Sequence, residues 1–132
     1  MITDDGRIEH ERHYPHPVER VWAALVDSDA LARWLMPNDF VPTVGARFTF
    51  EAGPPRGTID GQVVAVEPPH RMVWQWMLDG AATTVTITLR AVEGGTLLRL
   101  EHADVPDDPR PRFDGGWVEK FDALERVLKG EA

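Results

Sequence analysis

The sequence predicts an α+β fold, an antiparallel sheet with one apolar face and a long C-terminal helix packed across it. Residues from about 45 to 102 alternate between apolar and polar side chains, which is typical of strands. Short turns rich in Gly, Pro and Asp separate these segments, so successive strands should pair antiparallel. Residues 113–128 instead repeat apolar side chains every three or four positions, as an amphipathic helix does. Such a helix needs an apolar sheet face to cover.

The first predicted element is a strand over residues 7–14, where side chains of alternating character end at Pro15. Proline fixes its own φ and favours an extended conformation in the residue before it, so Pro15 and Pro17 fit best ahead of a helix. Apolar residues then recur at helical spacing from Val18 to about Asp27. This pattern predicts the first helix.

A second short helix is predicted directly after the first. Ser28 or Asp29 is expected to cap its start, because a side-chain oxygen there can accept a hydrogen bond from a free backbone N–H. The helix should continue through Trp34 and end before Pro37.

Five further strands are predicted between the helical pair and the C-terminal helix. They cover residues 45–51, 58–67, 72–77, 84–89 and 96–102. The last of these places Leu98, Leu100 and His102 on one face. A Pro- and Asp-rich loop over residues 104–112 is expected to lead into the closing helix, near whose start lie Gly115 and Gly116.

Length and composition narrow the classes of function. At 132 residues we expect a single domain spanning residues 1–132, and no apolar run approaches the roughly 18 residues that span a bilayer. The formal charge of −8 disfavours binding to nucleic acid or to an anionic membrane. The acidic N-terminus has no signal-peptide pattern, so a cytoplasmic location is expected.

Motifs for metal, cofactor or nucleophilic chemistry are missing from the sequence. There is no cysteine, no glycine-rich phosphate loop, and a single serine, Ser28, in a capping context. His10, His13 and His16 are three residues apart on an extended segment, where they cannot easily converge on one ion. We therefore predict no metal and no cofactor.

Four motifs, in a specific order and spacing, give the chain its resemblance to a known family. They are residues 17–22 (PVERVW) with 31–34 (LARW), residues 45–48 (GARF), residues 61–71 ending in EPPHR ahead of Trp74 and Trp76, and residues 94–102 beginning GGTLL, followed by Gly116-Trp117. On these residues the chain resembles the START-like (SRPBCC) superfamily. Within it, the chain is similar to the family named for the activator of the heat-shock chaperone ATPase.

The resemblance implies a helix-grip fold, also described as Bet v-like. In such a fold a curved antiparallel sheet wraps around the long C-terminal helix, two short helices follow the first strand, and a cavity between sheet and helix often holds a small apolar molecule. The residues expected to bind such a ligand are Phe48, Phe50, Trp74, Trp76, Val85, Ile87, His102, Phe113, Trp117 and Phe121. Packing of the core alone is an alternative explanation for the tryptophans.

The leading functional hypothesis is a non-catalytic protein that binds a small, largely apolar ligand. One alternative is a polyketide cyclase- or hydrolase-like enzyme with His102 as acid–base, although a buried histidine satisfied by a neighbouring backbone group is the simpler explanation of this residue. Another is an interaction module that binds a chaperone in the stress response, although we expect this chain to lack the additional N-terminal domain of the eukaryotic activators. Either a monomer or a homodimer is compatible with the sequence.

Overall fold

The computed structural model of the chain describes residues 1–130, and it confirms the α+β helix-grip fold. In chain order the elements are β1 (Ile8–Tyr14), α1 (Val18–Val26), α2 (Ser28–Trp34), β2 (Arg47–Gly53), β3 (Gly57–Glu67), β4 (Arg71–Leu78), β5 (Ala81–Val92), β6 (Gly95–Ala103) and α3 (Arg110–Leu128). No helix within residues 1–130 is long and apolar enough to cross a membrane.

The six strands form one curved antiparallel sheet in the order β1-β6-β5-β4-β3-β2. β2 to β6 therefore form a meander, and β1 joins it beside β6. The register shifts between Glu51 and Gly53 in β2 and between Val63 and Ala65 in β3. Irregularities of this kind bend a strand, which helps the sheet to curve around a helix.

The C-terminal helix α3 is held against the sheet by polar contacts as well as by its buried side chains. The buried Tyr14 hydroxyl of β1 donates a hydrogen bond of 2.9 Å to the Phe121 carbonyl. Burial raises the pKa of Tyr14, so the hydroxyl stays protonated as a donor. Arg20 of α1 donates to the carbonyl oxygens of Val127 and Leu128 at the end of α3. These bonds satisfy carbonyl groups that a helix C-terminus leaves free.

Two helix starts differ from the sequence prediction. Asp27, rather than Ser28 or Asp29, caps α2, and its carboxylate accepts from the Ala30 N–H at 3.0 Å. Ser28 instead donates to Asn38 Oδ1 at 2.8 Å. Helix α3 begins at Arg110, inside the predicted loop, because proline is compatible with the first turn of a helix.

Candidate functional site

A cavity of about 270 Å³ lies between the first half of α3, the end of α2 and the turn that joins β2 to β3. Most of the residues that line it are apolar, and the charged ones are all basic. The lining residues are Leu35, Met36, Ala52, Gly53, Pro54, Pro55, Arg56, Ile59, Trp76, Arg112, Phe113, Gly116, Trp117 and Lys120. The site is thus an apolar cleft beside the C-terminal helix, with basic side chains among its walls.

Stacked aromatic rings form one wall of this cavity. The rings of Trp76 on β4 and Trp117 on α3 stack with centroids 5.6 Å apart and planes inclined by 14°. On the helix, the Trp117 ring stacks in turn on Phe121 at 5.5 Å. Both tryptophan side chains are almost fully buried, so the wall is fixed by packing before any ligand binds.

The residues that α3 contributes to the cavity follow from helical periodicity. Arg112, Gly116 and Lys120 are spaced by four residues, and Phe113 and Trp117 are spaced likewise, so all five lie on one broad face. A β carbon placed on Gly116 would meet no other atom within 4 Å. The glycine therefore leaves open space in the cavity wall, whereas the neighbouring Gly115 is exposed and lies outside the lining.

Three cations belong to the lining, and none of the lining residues is acidic. The guanidinium carbon of Arg56 lies 5.1 Å from the centre of the Phe113 ring, a cation–π contact that ties the β2–β3 turn to α3. Arg56 also contacts Asp79, with 3.2 Å between Nη1 and Oδ1. Arg112 and Lys120 make no ion pair with any of residues 1–130.

His102 is fully buried behind the aromatic wall and does not line the cavity. The Trp117 indole N–H donates to His102 Nδ1 at 3.1 Å, so Nδ1 is the unprotonated nitrogen. The proton of the neutral ring is then on Nε2, which donates to Thr83 Oγ1 at 2.9 Å. The Thr83 hydroxyl donates in turn to the Trp76 carbonyl at 2.9 Å. Both ring nitrogens are therefore satisfied.

The environment of His102 favours the neutral imidazole. Desolvation by burial lowers its pKa to about 3, because no carboxylate compensates a charge there. A second proton would have to bind at Nδ1, where it would meet the Trp117 N–H donor. His102 therefore holds Trp117 in place, and it is poorly suited to accept a proton from a substrate.

Of the ten residues expected to bind a ligand, Trp76, Phe113 and Trp117 line the cavity. The other seven are buried in the packed interior and do not line the cavity. They are Phe48, Phe50, Trp74, Val85, Ile87, His102 and Phe121. All seven are buried on the inner side of the sheet or under α3, as the alternation and the helical spacing predict.

The other lining residues were not among the ten expected to bind a ligand. They are the three basic residues, Leu35 and Met36 directly after α2, Ala52, Gly53, Pro54, Pro55 and Ile59 in and around the β2–β3 turn, and Gly116. A usable signal was present on α3, where Arg112 and Lys120 lie four residues on either side of Gly116. Nothing in the sequence indicated that the β2–β3 turn, with Arg56, faces the same cavity.

The histidines near the N-terminus do not form a metal site with one another. His10 Nε2 lies 3.0 Å from Asp114 Oδ1 on α3. Within residues 1–130, no group of three or more His, Asp or Glu side chains is placed to hold a metal ion.

The fold is close to that of several solved structures. Protein MLL2253 from Mesorhizobium loti is 33% identical, with a TM-score of 0.86, and the match covers 96% of this chain and 98% of that one. DynU16, a protein in the dynemicin biosynthetic locus, is 26% identical with a TM-score of 0.84. This match covers 96% of the present chain but only 48% of the DynU16 chain. The Aha1 dimer from Colwellia psychrerythraea, 22% identical with a TM-score of 0.83 over 92% of this chain and 95% of that one, shares the fold.

The chain matches a protein family but none of the curated proteins. Residues 15–129 match the family described as "Activator of Hsp90 ATPase homolog 1-like protein". This matched range contains all four motifs noted in the sequence. The chain therefore belongs to the Activator of Hsp90 ATPase homolog 1-like family, within the START-like superfamily.

Proposed function

We propose that this protein binds a small, largely apolar molecule in the cavity beside α3. The observation that carries the proposal is the cavity itself, an apolar cleft with a preformed wall of stacked aromatic rings. Sites for small molecules are typically concave, mostly apolar and formed before binding, with a few polar groups that orient the ligand. The cleft has each of these properties.

The size of the cavity limits the ligand. Its volume of about 270 Å³ lies just below the range of typical ligand pockets, which run from roughly 300 to 1,000 Å³. We therefore propose a ligand with one or two rings or an equivalent aliphatic group. The likeness to DynU16, a protein in the dynemicin biosynthetic locus, supports a small-molecule role.

Enzymatic turnover through His102 is the weaker alternative. General acid–base catalysis needs the side chain within hydrogen-bond reach of the substrate. His102 is fully buried and absent from the cavity lining, and both of its ring nitrogens already have hydrogen-bond partners. A polyketide cyclase- or hydrolase-like reaction in this cavity would have to use other groups.

The two adjacent glycines of α3 provide a matched test of the site. Gly116→Leu would extend a side chain into the cavity, whereas Gly115→Leu would place the same side chain on the exposed face. Both changes replace a helical glycine, so both should raise helix propensity by up to about 1 kcal/mol. We expect Gly116→Leu to weaken binding of one- and two-ring aromatic compounds at least about tenfold and Gly115→Leu to leave it within about threefold.

Binding would be measured as quenching of tryptophan fluorescence together with a rise in melting temperature, because a ligand of the native state must stabilise it. The panel would contain benzamide, naphthamide, biphenylcarboxamide and the corresponding carboxylates. Equal affinities in the two leucine variants would contradict the proposed site. Failure of every compound to bind the unmodified protein would contradict the proposed function.

A chaperone-binding role remains a second proposal because of the family to which the chain belongs and its likeness in fold to the Aha1 dimer. A chaperone-binding role predicts that the protein changes the ATPase rate of a chaperone. A homodimer predicts a sedimentation mass of twice the chain mass. A cytoplasmic location and a role in the stress response likewise remain predictions from the sequence and the family.

A further inference from the structure

We propose that the ligand of this cavity carries an anionic group, such as a carboxylate, and that Arg56, Arg112 and Lys120 bind this group. The inference rests on the proposed function and specifies the class of ligand. The apolar part of the molecule would lie against Trp76, Trp117 and the surrounding aliphatic side chains. A compound of this kind is an aromatic or aliphatic carboxylic acid in its ionised form.

The first argument is the sign of the charges around the cavity. The chain has 22 acidic residues against 14 Lys and Arg, so an unselected patch of its surface would carry more carboxylates than cations. The lining has the opposite character, with three cations and no Asp or Glu. Clefts lined by one sign of charge attract ligands of the opposite sign, since their low-dielectric walls focus the field.

The second argument is the arrangement of the cations around the cavity. Arg112 and Lys120 lie on α3 on either side of Gly116, and Arg56 extends from the β2–β3 turn against the same stretch of helix. The cations therefore come from two separate elements that meet at the cavity, with the gap at Gly116 between the two helical ones. An anionic group there could bind to more than one cation.

The third argument is that much of this positive charge is uncompensated. Arg112 and Lys120 make no ion pair among residues 1–130, and Arg56 shares its charge with the half-exposed Asp79. Arg56 is itself oriented by its contact with the Phe113 ring, with one fifth of its side chain exposed. A guanidinium held in this way is suited to planar recognition of a carboxylate, which accepts two parallel hydrogen bonds.

The test compares each carboxylate of the panel with its neutral carboxamide, which has nearly the same size and shape. We expect the unmodified protein to bind the best carboxylate about tenfold more tightly than its amide, a difference of about 1.4 kcal/mol. The preference should fall as salt is raised toward 1 M, where the Debye length is about 3 Å. The triple variant Arg56→Gln/Arg112→Gln/Lys120→Gln should bind both compounds equally.

A matched control removes the same charge elsewhere. Arg33→Gln/Arg90→Gln/Arg126→Gln lowers the net charge by the same amount at exposed positions outside the lining, and it should keep the preference. Equal affinity for carboxylate and amide in the unmodified protein would overturn the anionic class but leave the proposed function standing. Loss of the preference in both triple variants would attribute it to net charge and overturn the assigned residues. No binding of any compound would overturn the proposed function, and this inference with it.

Discussion

Two groups of aromatic residues on the same face of the sheet are packed differently. Near β2, the rings of Phe40, Phe48, Phe50 and Trp74 pack edge-to-face or tilted, with centroids 5.2 to 6.5 Å apart, and none lines the cavity. Near α3, Trp76 stacks against the helix and forms a cavity wall. The first group completes the core and the second leaves room beside it.

Trp74 and Trp76 make the contrast most clearly, because they are two residues apart on β4 and point to the same face. Each ring is buried, and neither indole N–H has a hydrogen-bond partner among residues 1–130. The two rings differ in the residues that surround them. Phe40 comes from the loop after α2 and packs against Trp74, whereas Trp76 lines the cavity together with Gly116. Segments outside β4 therefore decide whether the space beside a tryptophan of this strand is filled by a side chain or is part of the cavity.

Replacing each of the two tryptophans by alanine should have the largest effects on the free energy of unfolding. Equal losses in the two variants would contradict the difference in packing described above. Trp74→Ala should lower the free energy of unfolding by about 3–5 kcal/mol, since it empties a fully packed site. Trp76→Ala should cost about 1–2 kcal/mol less, because Trp76 lies at the edge of the cavity, where the packing around the truncated side chain is already incomplete. Denaturant titration would measure both values.

Ligand affinity should respond in the opposite order. Trp76→Ala should weaken binding of the best panel compound by about tenfold, which corresponds to about 1.4 kcal/mol of lost contact. Trp74→Ala, measured at low temperature where it remains folded, should bind within about threefold of the unmodified protein. Similar losses of affinity in the two variants would mean that Trp74 also contributes to the site.

A further effect on stability concerns pH and His102, the residue packed behind the wall. The pKa of His102 is about 3 in the folded protein and near 6.5 in an unfolded chain. Above pH 6.5 the ring is neutral in both states. Below it the unfolded chain binds a proton that the folded protein does not, so stability should fall by roughly 1.4 kcal/mol for each pH unit until the folded pKa is reached.

His102→Gln isolates this contribution, because glutamine offers a donor and an acceptor but does not titrate. The unfolding free energy of the unmodified protein minus that of this variant should fall steadily from pH 6.5 to pH 4, while the many carboxylates contribute equally to both. A difference that stays constant over this range would show that His102 is not kept neutral by burial.

The fold was predictable because it depends on periodic patterns that the sequence displays directly. The alternation in β6 placed Leu98, Leu100 and His102 on the buried face, and the helical spacing of Trp117 and Phe121 placed them against the sheet. The cap of α2 was missed by one residue, because Asp27, Ser28 and Asp29 are all good capping residues and the choice among them depends on Asn38.

The cavity was less predictable, because its walls come from segments distant in sequence. An inward-facing aromatic residue is expected both in a core and in a pocket wall, so Phe48 and Phe50 were as credible as Trp76. The position of Arg56 depends on how the β2–β3 turn packs on Phe113, which no local pattern encodes. His102 was correctly predicted to point inward, but its partners, Thr83 and Trp117, become evident only in the folded structure.

The smallest predicted effect concerns the hydrogen bond that links His102 to the aromatic wall. Trp117→Phe keeps an aromatic ring between Trp76 and Phe121 but removes the N–H that donates to His102 Nδ1. Because the change also reduces volume, the hydrogen bond is best measured by a double-mutant cycle with His102→Leu. We expect a coupling of about 1 kcal/mol in the free energy of unfolding, the value of a typical buried hydrogen bond. Additivity of the two changes within about 0.3 kcal/mol would mean that packing alone holds Trp117.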